Sequence, residues 1–252
     1  MHTTIVKLNI TVLVAVIVLW SSQAWSIAIN QYSAFINSPD IGLVSLEDTQ
    51  VGSGFNEFQG AGLGVAFTNN LGANDLGSVT WEITNNSGGD LTNTWFFGFL
   101  DVEIDEHSNS YFNESGALVS VDGTGSGDTA ADAWEIDEPG FVFGDIYDNL
   151  STGSLDNTNN VPAGFEDDVS LALGFNIDTL FSGQSLLATF NISLSNIDGL
   201  IHTDSDSNTT FYFNGNVDVQ DILSVPEPGT LMVFVIGLVG LLTMKKASPC
   251  LI

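Results

Sequence analysis

The sequence predicts an all-β sandwich of short strands set between two apolar terminal segments. Three observations predict it. Apolar and polar residues alternate strictly over several stretches, the pattern of strands with one buried face. Between these stretches lie runs of Gly, Asn, Asp and Ser, which dominate turns for steric and hydrogen-bonding reasons. Helical periodicity of any length is absent outside the two ends, and short strands with such punctuation indicate a sandwich or barrel.

The strands follow from the alternation. Val79, Trp81 and Ile83 oppose Thr80, Glu82 and Thr84. Val169, Leu171, Leu173 and Phe175 form a second set. Leu186, Ala188, Phe190, Ile192 and Leu194 oppose Leu187, Thr189, Asn191 and Ser193. Phe211, Phe213, Val217 and Val219 alternate with Tyr212, Asn214, Asn216 and Asp218. Asn85–Asp90, Asp122–Gly127 and Ser151-Thr152-Gly153 read as turns, so Trp81–Asp101 reads as strand, turn of Asn and Gly, strand. Ser182-Gly183-Gln184-Ser185 and the strand after it are similar to a turn of immunoglobulin-like domains in secreted bacterial proteins. That similarity narrows the expected fold to an immunoglobulin-like or jelly-roll-type β-sandwich over residues 27–221.

Charge is the most unusual feature of the composition. The 252 residues carry a net charge of −28, with 31 acidic residues and three lysines. The lysines are Lys7, Lys245 and Lys246, and there is no arginine. All acidic residues but Glu227 lie between positions 27 and 224. Nucleic acid is excluded as a partner of this middle region, because tight binding needs cations that displace counterions. Self-repulsion keeps such a domain soluble but opposes its compaction, and salt screens it. The 17 phenylalanines argue against a disordered chain. The single cysteine, Cys250, leaves the middle region without a disulfide.

Residues 1–26 read as a secretory signal peptide for signal peptidase. Lys7 supplies the positive segment, Ile10–Trp20 the apolar one, and Ala24 and Ser26 frame a small-x-small cleavage site. At the other end, Val225-Pro226-Glu227-Pro228 is followed by the apolar run Leu231–Met244 and then Lys245-Lys246. Two prolines hold the first segment extended and remove amide donors. The run spans about 21 Å as a helix, against a hydrocarbon core of roughly 30 Å. It therefore suits a single, temporary membrane-spanning helix, with Lys245 and Lys246 as the cytoplasmic stop.

This tripartite end, over residues 222–252, resembles the PEP-CTERM sorting signal. The resemblance implies processing by exosortase near the Pro-Glu-Pro. It also implies transient residence in the inner membrane facing the periplasm, delivery to the cell surface or beyond, and association with exopolysaccharide and biofilm.

The middle region offers several candidate sites. Asp101, Glu103 and Asp105 share one face of a strand, opposite Leu100, Val102 and Ile104. Same-face neighbours are about 7 Å apart, so the row is either a solvated outer face or a Ca²⁺ site of hard oxygen ligands. Asp204, Asp206 and Asn208 open like a calcium loop, but Thr209 and Gly215 stand where the EF-hand needs Gly and a carboxylate. A polar hairpin loop is the alternative there. Glu166-Asp167-Asp168 reads as a solvated loop.

His107 and His202 each lie near carboxylates, without diagnostic spacing. Trp95, Trp134, Phe141 and Phe143 could stack on sugars or fill the core. Gly60–Gly64 lacks the third glycine of a nucleotide loop, Val65 standing in its place. No nucleophile motif occurs, so no catalytic residue and no obligatory cofactor is expected. The sequence points first to an exported, non-enzymatic surface or matrix protein. A carbohydrate- or calcium-binding module is the alternative, and a glycoside hydrolase, which needs only two carboxylates, is the third.

Overall fold

A computed structural model describes residues 27–47, 58–104, 110–120, 131–140 and 142–220. Among these, twelve strands and one short α-helix follow in order. They are β1 (Ile27–Ser38), β2 (Gly42–Glu47), β3 (Phe58–Gly60), β4 (Leu63–Asn69), β5 (Gly77–Asn85), β6 (Leu91–Ile104), β7 (Glu114–Ser120) and β8 (Ala133–Asp137). Then come α1 (Ile146–Thr152), β9 (Ser170–Leu180), β10 (Ser185–Ser193), β11 (Gly199–Asp204) and β12 (Thr210–Gln220). One sheet has the order β2-β1-β6-β9-β8, the other β3-β4-β5-β10-β12-β11-β7. All strand pairs are antiparallel. The chain is a β-sandwich, as its alternation predicts. The signal peptide and the membrane-spanning helix expected at the ends lie outside the described residues. Among the described residues no helix is long and apolar enough to cross a membrane.

The seven-stranded sheet obeys the alternation rule closely. In β10, Leu186, Ala188, Phe190 and Ile192 are buried, while Leu187, Thr189, Asn191 and Ser193 are half-exposed. In β5, Val79, Trp81 and Ile83 face the same core. In β12, Phe211, Phe213 and Val217 do so, but Val219, near the strand end, is exposed. Leu194 lies one residue past β10 and is exposed as well. The inner faces meet in a core rich in aromatic rings, with Phe190 at its centre against Trp81, Phe96, Phe175 and Phe213.

The five-stranded sheet is buried on both faces. Phe96, Leu100, Val102 and Ile104 of β6 join the core between the sheets. Phe97 and Phe99 point the other way, into a second cluster with Phe35, Ala172, Ile146, Leu150 and Leu155. The helix α1 closes this outer cluster by burying Ile146 and Leu150, one turn apart. Its seven residues fall short of two full turns, so it leaves no period to read in the sequence. Ser151-Thr152-Gly153, expected as a turn, is instead the end of this helix. Gly153 takes a left-handed φ of 74° and its N–H caps the carbonyls of Asn149 and Leu150.

The turn between β5 and β6 carries the chain from one sheet to the other. Asn85 anchors it from a fully buried position. Its amide donates to the carbonyls of Gly89 (2.9 Å) and Leu180 (2.8 Å), and its oxygen accepts from the Ser87 hydroxyl at 2.7 Å. Gly60–Gly64 forms the β3–β4 hairpin, whose two turn residues, Ala61 and Gly62, are left-handed.

Candidate functional site

The sandwich gathers its acidic groups at one place, where β6, β7, β11 and the segment before β9 meet. Antiparallel pairing of β6 with β9 sets Asp101 opposite Ser170, two residues after Asp168. Pairing of β7 with β11 sets Glu114 opposite Asp204 and Gly116 opposite His202. Glu114 also exchanges two backbone hydrogen bonds with Asp167, at 3.0 and 3.2 Å. Its Oε1 accepts from the Ile104 N–H at 3.2 Å, so one β7 side chain ties β6 to the other sheet.

Asp101, Glu103 and Asp168 converge. Each offers one carboxylate oxygen within 4.8 Å of the others'. Asp101 is 4% exposed and Glu103 5%. The expected solvated face is therefore corrected. These two residues do lie on the face opposite Val102 and Ile104, but the outer side of the five-stranded sheet is itself covered. Asp168, expected in a solvated loop, is half-buried and its Oδ1 has no access to water. Asp105 lies outside the described residues. Glu103 accepts from the Asn30 side chain at 3.2 Å. Among the described residues, Oδ1 of Asp101 and Oδ1 of Asp168 make no hydrogen bond. Burial, reinforced by the charges of Asp168 and Glu114, pushes Asp101 up to about 7. The Ser170 hydroxyl beside it opposes that rise slightly but is not aligned for a proper hydrogen bond.

His202 belongs to the same region. Its Nε2 lies 2.7 Å from Oε2 of Glu114, both side chains essentially inaccessible, and its ring packs on Phe211. Burial raises the Glu114 pKa and lowers that of His202. The neutral pair, with the carboxyl proton directed at an unprotonated imidazole nitrogen, is the form this site favours. The pair is a buried clamp between β7 and β11, an environment that the spacing of His202 in the sequence does not indicate. Glu114 was not legible in advance, since it sits in no alternating stretch. His107 lies outside the described residues.

The other candidates resolve differently. Asp204 is buried, and its oxygens accept from the Ser207 N–H and the Asn113 amide. Asp206 and Asn208 are exposed and lie in the β11–β12 hairpin loop, residues 205–209, whereas Asp204 ends β11. Glu135, Asp145 and Asp156 also converge within 4.8 Å. There, however, Glu135 already accepts from the Asn149 amide (2.9 Å) and the Asp156 N–H (3.2 Å). Trp95 stacks on Phe97 and Trp134 packs against the core, whereas Phe143 is exposed. Phe141 lies outside the described residues.

A groove of about 770 Å³ opens at one end of the seven-stranded sheet, along β5, β10 and β12. Asn70, Ser78, Asn191, Ser193, Asn214 and Asn216 are among its polar residues, and none of the described residues lining it is charged. The chain as a whole carries a net charge of −28.

Comparison with known families decides what the tail is. Residues 224–246 match the PEP-CTERM protein-sorting motif. The PEP-CTERM match spans Val225, Pro226, Glu227 and Pro228 and runs through Lys245 and Lys246. All six lie outside the described residues, as do Ala24 and Ser26. A PEP-CTERM tail marks an exported protein that exosortase sorts, first anchored in a membrane and then released. No curated protein and no solved structure matches the chain.

Proposed function

We propose that this chain is a non-catalytic exported matrix protein that binds uncharged extracellular polysaccharide through the groove on its seven-stranded sheet. In this reading signal peptidase removes residues 1–26. The tail holds the domain on the periplasmic side of the inner membrane until exosortase acts near Val225–Pro228. The domain then acts at the cell surface or beyond it, within the biofilm.

The neutral lining of the groove carries the reading. Asparagine amides donate and accept, and serine hydroxyls do both, which suits a polymer of hydroxyl groups. The surrounding negative field repels acidic polymers over about 10 Å at 0.1 M salt. Selectivity for uncharged chains follows. Catalysis on sugars usually uses two carboxylates flanking the bond, and the described residues that line this groove include none.

Affinity electrophoresis of the released protein through gels containing neutral or acidic bacterial polysaccharides tests this. A neutral polymer is expected to retard the protein and an acidic one to leave it unretarded. Asn191→Asp with Asn216→Asp places two charges in the groove. This double variant is expected to bind at least about tenfold more weakly, roughly 1.4 kcal/mol, with an unchanged unfolding midpoint. Equal mobility in every gel, or equal retardation of the double variant, would contradict the reading.

A further inference from the structure

We propose that Asp101, Glu103 and Asp168 form a binding site for one divalent cation of the calcium class. The site shares no residue with the polysaccharide groove and does not depend on it. Three carboxylates meet within 4.8 Å, and two of them are at least nine-tenths buried. Oxygens so close, and so far from water, repel one another strongly.

In most proteins a lysine or arginine would neutralise such a group. Here no lysine or arginine occurs between Lys7 and Lys245. His202, the nearest basic side chain of the described cluster, is itself held neutral by burial. A second observation points to a ligand: Oδ1 of Asp101 and Oδ1 of Asp168 are buried, and among the described residues neither has a hydrogen-bond partner. Buried polar atoms are nearly always satisfied, and a carboxylate can only be satisfied by a donor or a cation. Hard, all-oxygen ligands select calcium over the softer transition metals. Calcium also tolerates irregular geometry, whereas magnesium demands a near-ideal octahedron.

The contrast with Glu135, Asp145 and Asp156 sharpens the assignment. That group has the same convergence, but Glu135 already accepts from protein donors on both oxygens. The expectation from sequence placed Asp105 in the site. The fold brings in Asp168 instead, from a segment more than sixty positions away in the chain.

Thermal unfolding and calorimetric titration of the released protein with CaCl₂, after EDTA treatment, test the proposal. One tight site per chain is expected. Calcium at about 100 times its Kd should raise the unfolding midpoint by about 5–10 °C. MgCl₂ at the same concentration, and NaCl at the same ionic strength, should raise it much less. Asp101→Asn should abolish the calcium increment while leaving the midpoint in EDTA unchanged or higher, since it removes a buried repulsion. Asp206→Asn, on the exposed hairpin, should keep the increment. If Asp101→Asn does not fold, Asp168→Asn and the wild-type stoichiometry decide. No heat of binding, or increments equal for calcium, magnesium and both variants, would overturn the proposal by showing general screening of the acidic surface.

Discussion

Replacing Phe190 with alanine is expected to lower the unfolding free energy by about 3–5 kcal/mol, measured by urea unfolding of the released protein. Phe190 is 1% exposed. Its ring centroid lies 5.5 to 6.1 Å from those of Trp81, Phe96, Phe175 and Phe213. Two glycines make room for it. A Cβ on Gly98, in the facing sheet, would clash with the edge of the Phe190 ring, and one on Gly215, its cross-strand neighbour, would approach it to 2.7 Å. The two sheets close on this one ring. Truncation leaves a cavity that rigid sheets cannot collapse to fill, and typical domains have only about 5–15 kcal/mol in total. Gly98→Ala is expected to cost about 1–3 kcal/mol by overpacking the same contact. A loss below about 1 kcal/mol for Phe190→Ala would mean that the sheets do not pack as described.

The second large effect is on pH. In EDTA, stability is expected to be highest near pH 5 and to fall steadily to pH 9, the reverse of ordinary acid denaturation. Burial pushes Glu135 up to about 7, against hydrogen bonds from Asn149 and Asp156 and with the charges of Asp156 and Asp145 facing it. A carboxyl whose folded pKa is raised binds more protons in the native state. Its contribution is therefore greatest below its unfolded value, about 4.3, and is lost as pH rises to about 7.

The Glu114–His202 pair, faced by Asp168 and Asp204, acts at higher pH. Folded, it keeps one proton on the carboxyl. Unfolded, it also holds one proton between roughly pH 4.3 and 6.5, on the histidine, so the pair contributes no slope there. Above that range the unfolded histidine releases its proton while the native pair retains it, and stability falls. Each such proton is worth about 1.4 kcal/mol per pH unit. Urea midpoints at pH 5, 7 and 9 check the profile, and Glu114→Gln should flatten its upper half. A maximum near pH 8 would contradict the protonation states assigned here.

The reach of the sequence can be judged on particular strands. β10 was legible because one of its faces meets water, so composition and burial alternate together. β6 was legible as a strand but not in its environment. Its Asp101 and Glu103 are buried beside Asp168 and Asn30, on the face where α1 covers Phe97 and Phe99, and no local pattern announces that cover. The helix itself is too short to show a period. Asp168 and Glu114 enter the cluster only through the register of β9 and β7, which a linear reading does not contain. Asp204-Ser205-Asp206 could be read either as a calcium loop or as a hairpin. The fold gives Asp204 protein donors for its oxygens. The tail is the opposite case, since its signal is the linear order of residues 224–246 and needs no fold to be recognised.

Intact mass of the protein recovered from its native host tests the central claim most directly. The expected species comes from the envelope or the medium, lacks residues 1–26 and ends at or near Val225–Pro228, with any attached group visible as added mass. An unclipped 252-residue chain dissolved in the cytosol would contradict it.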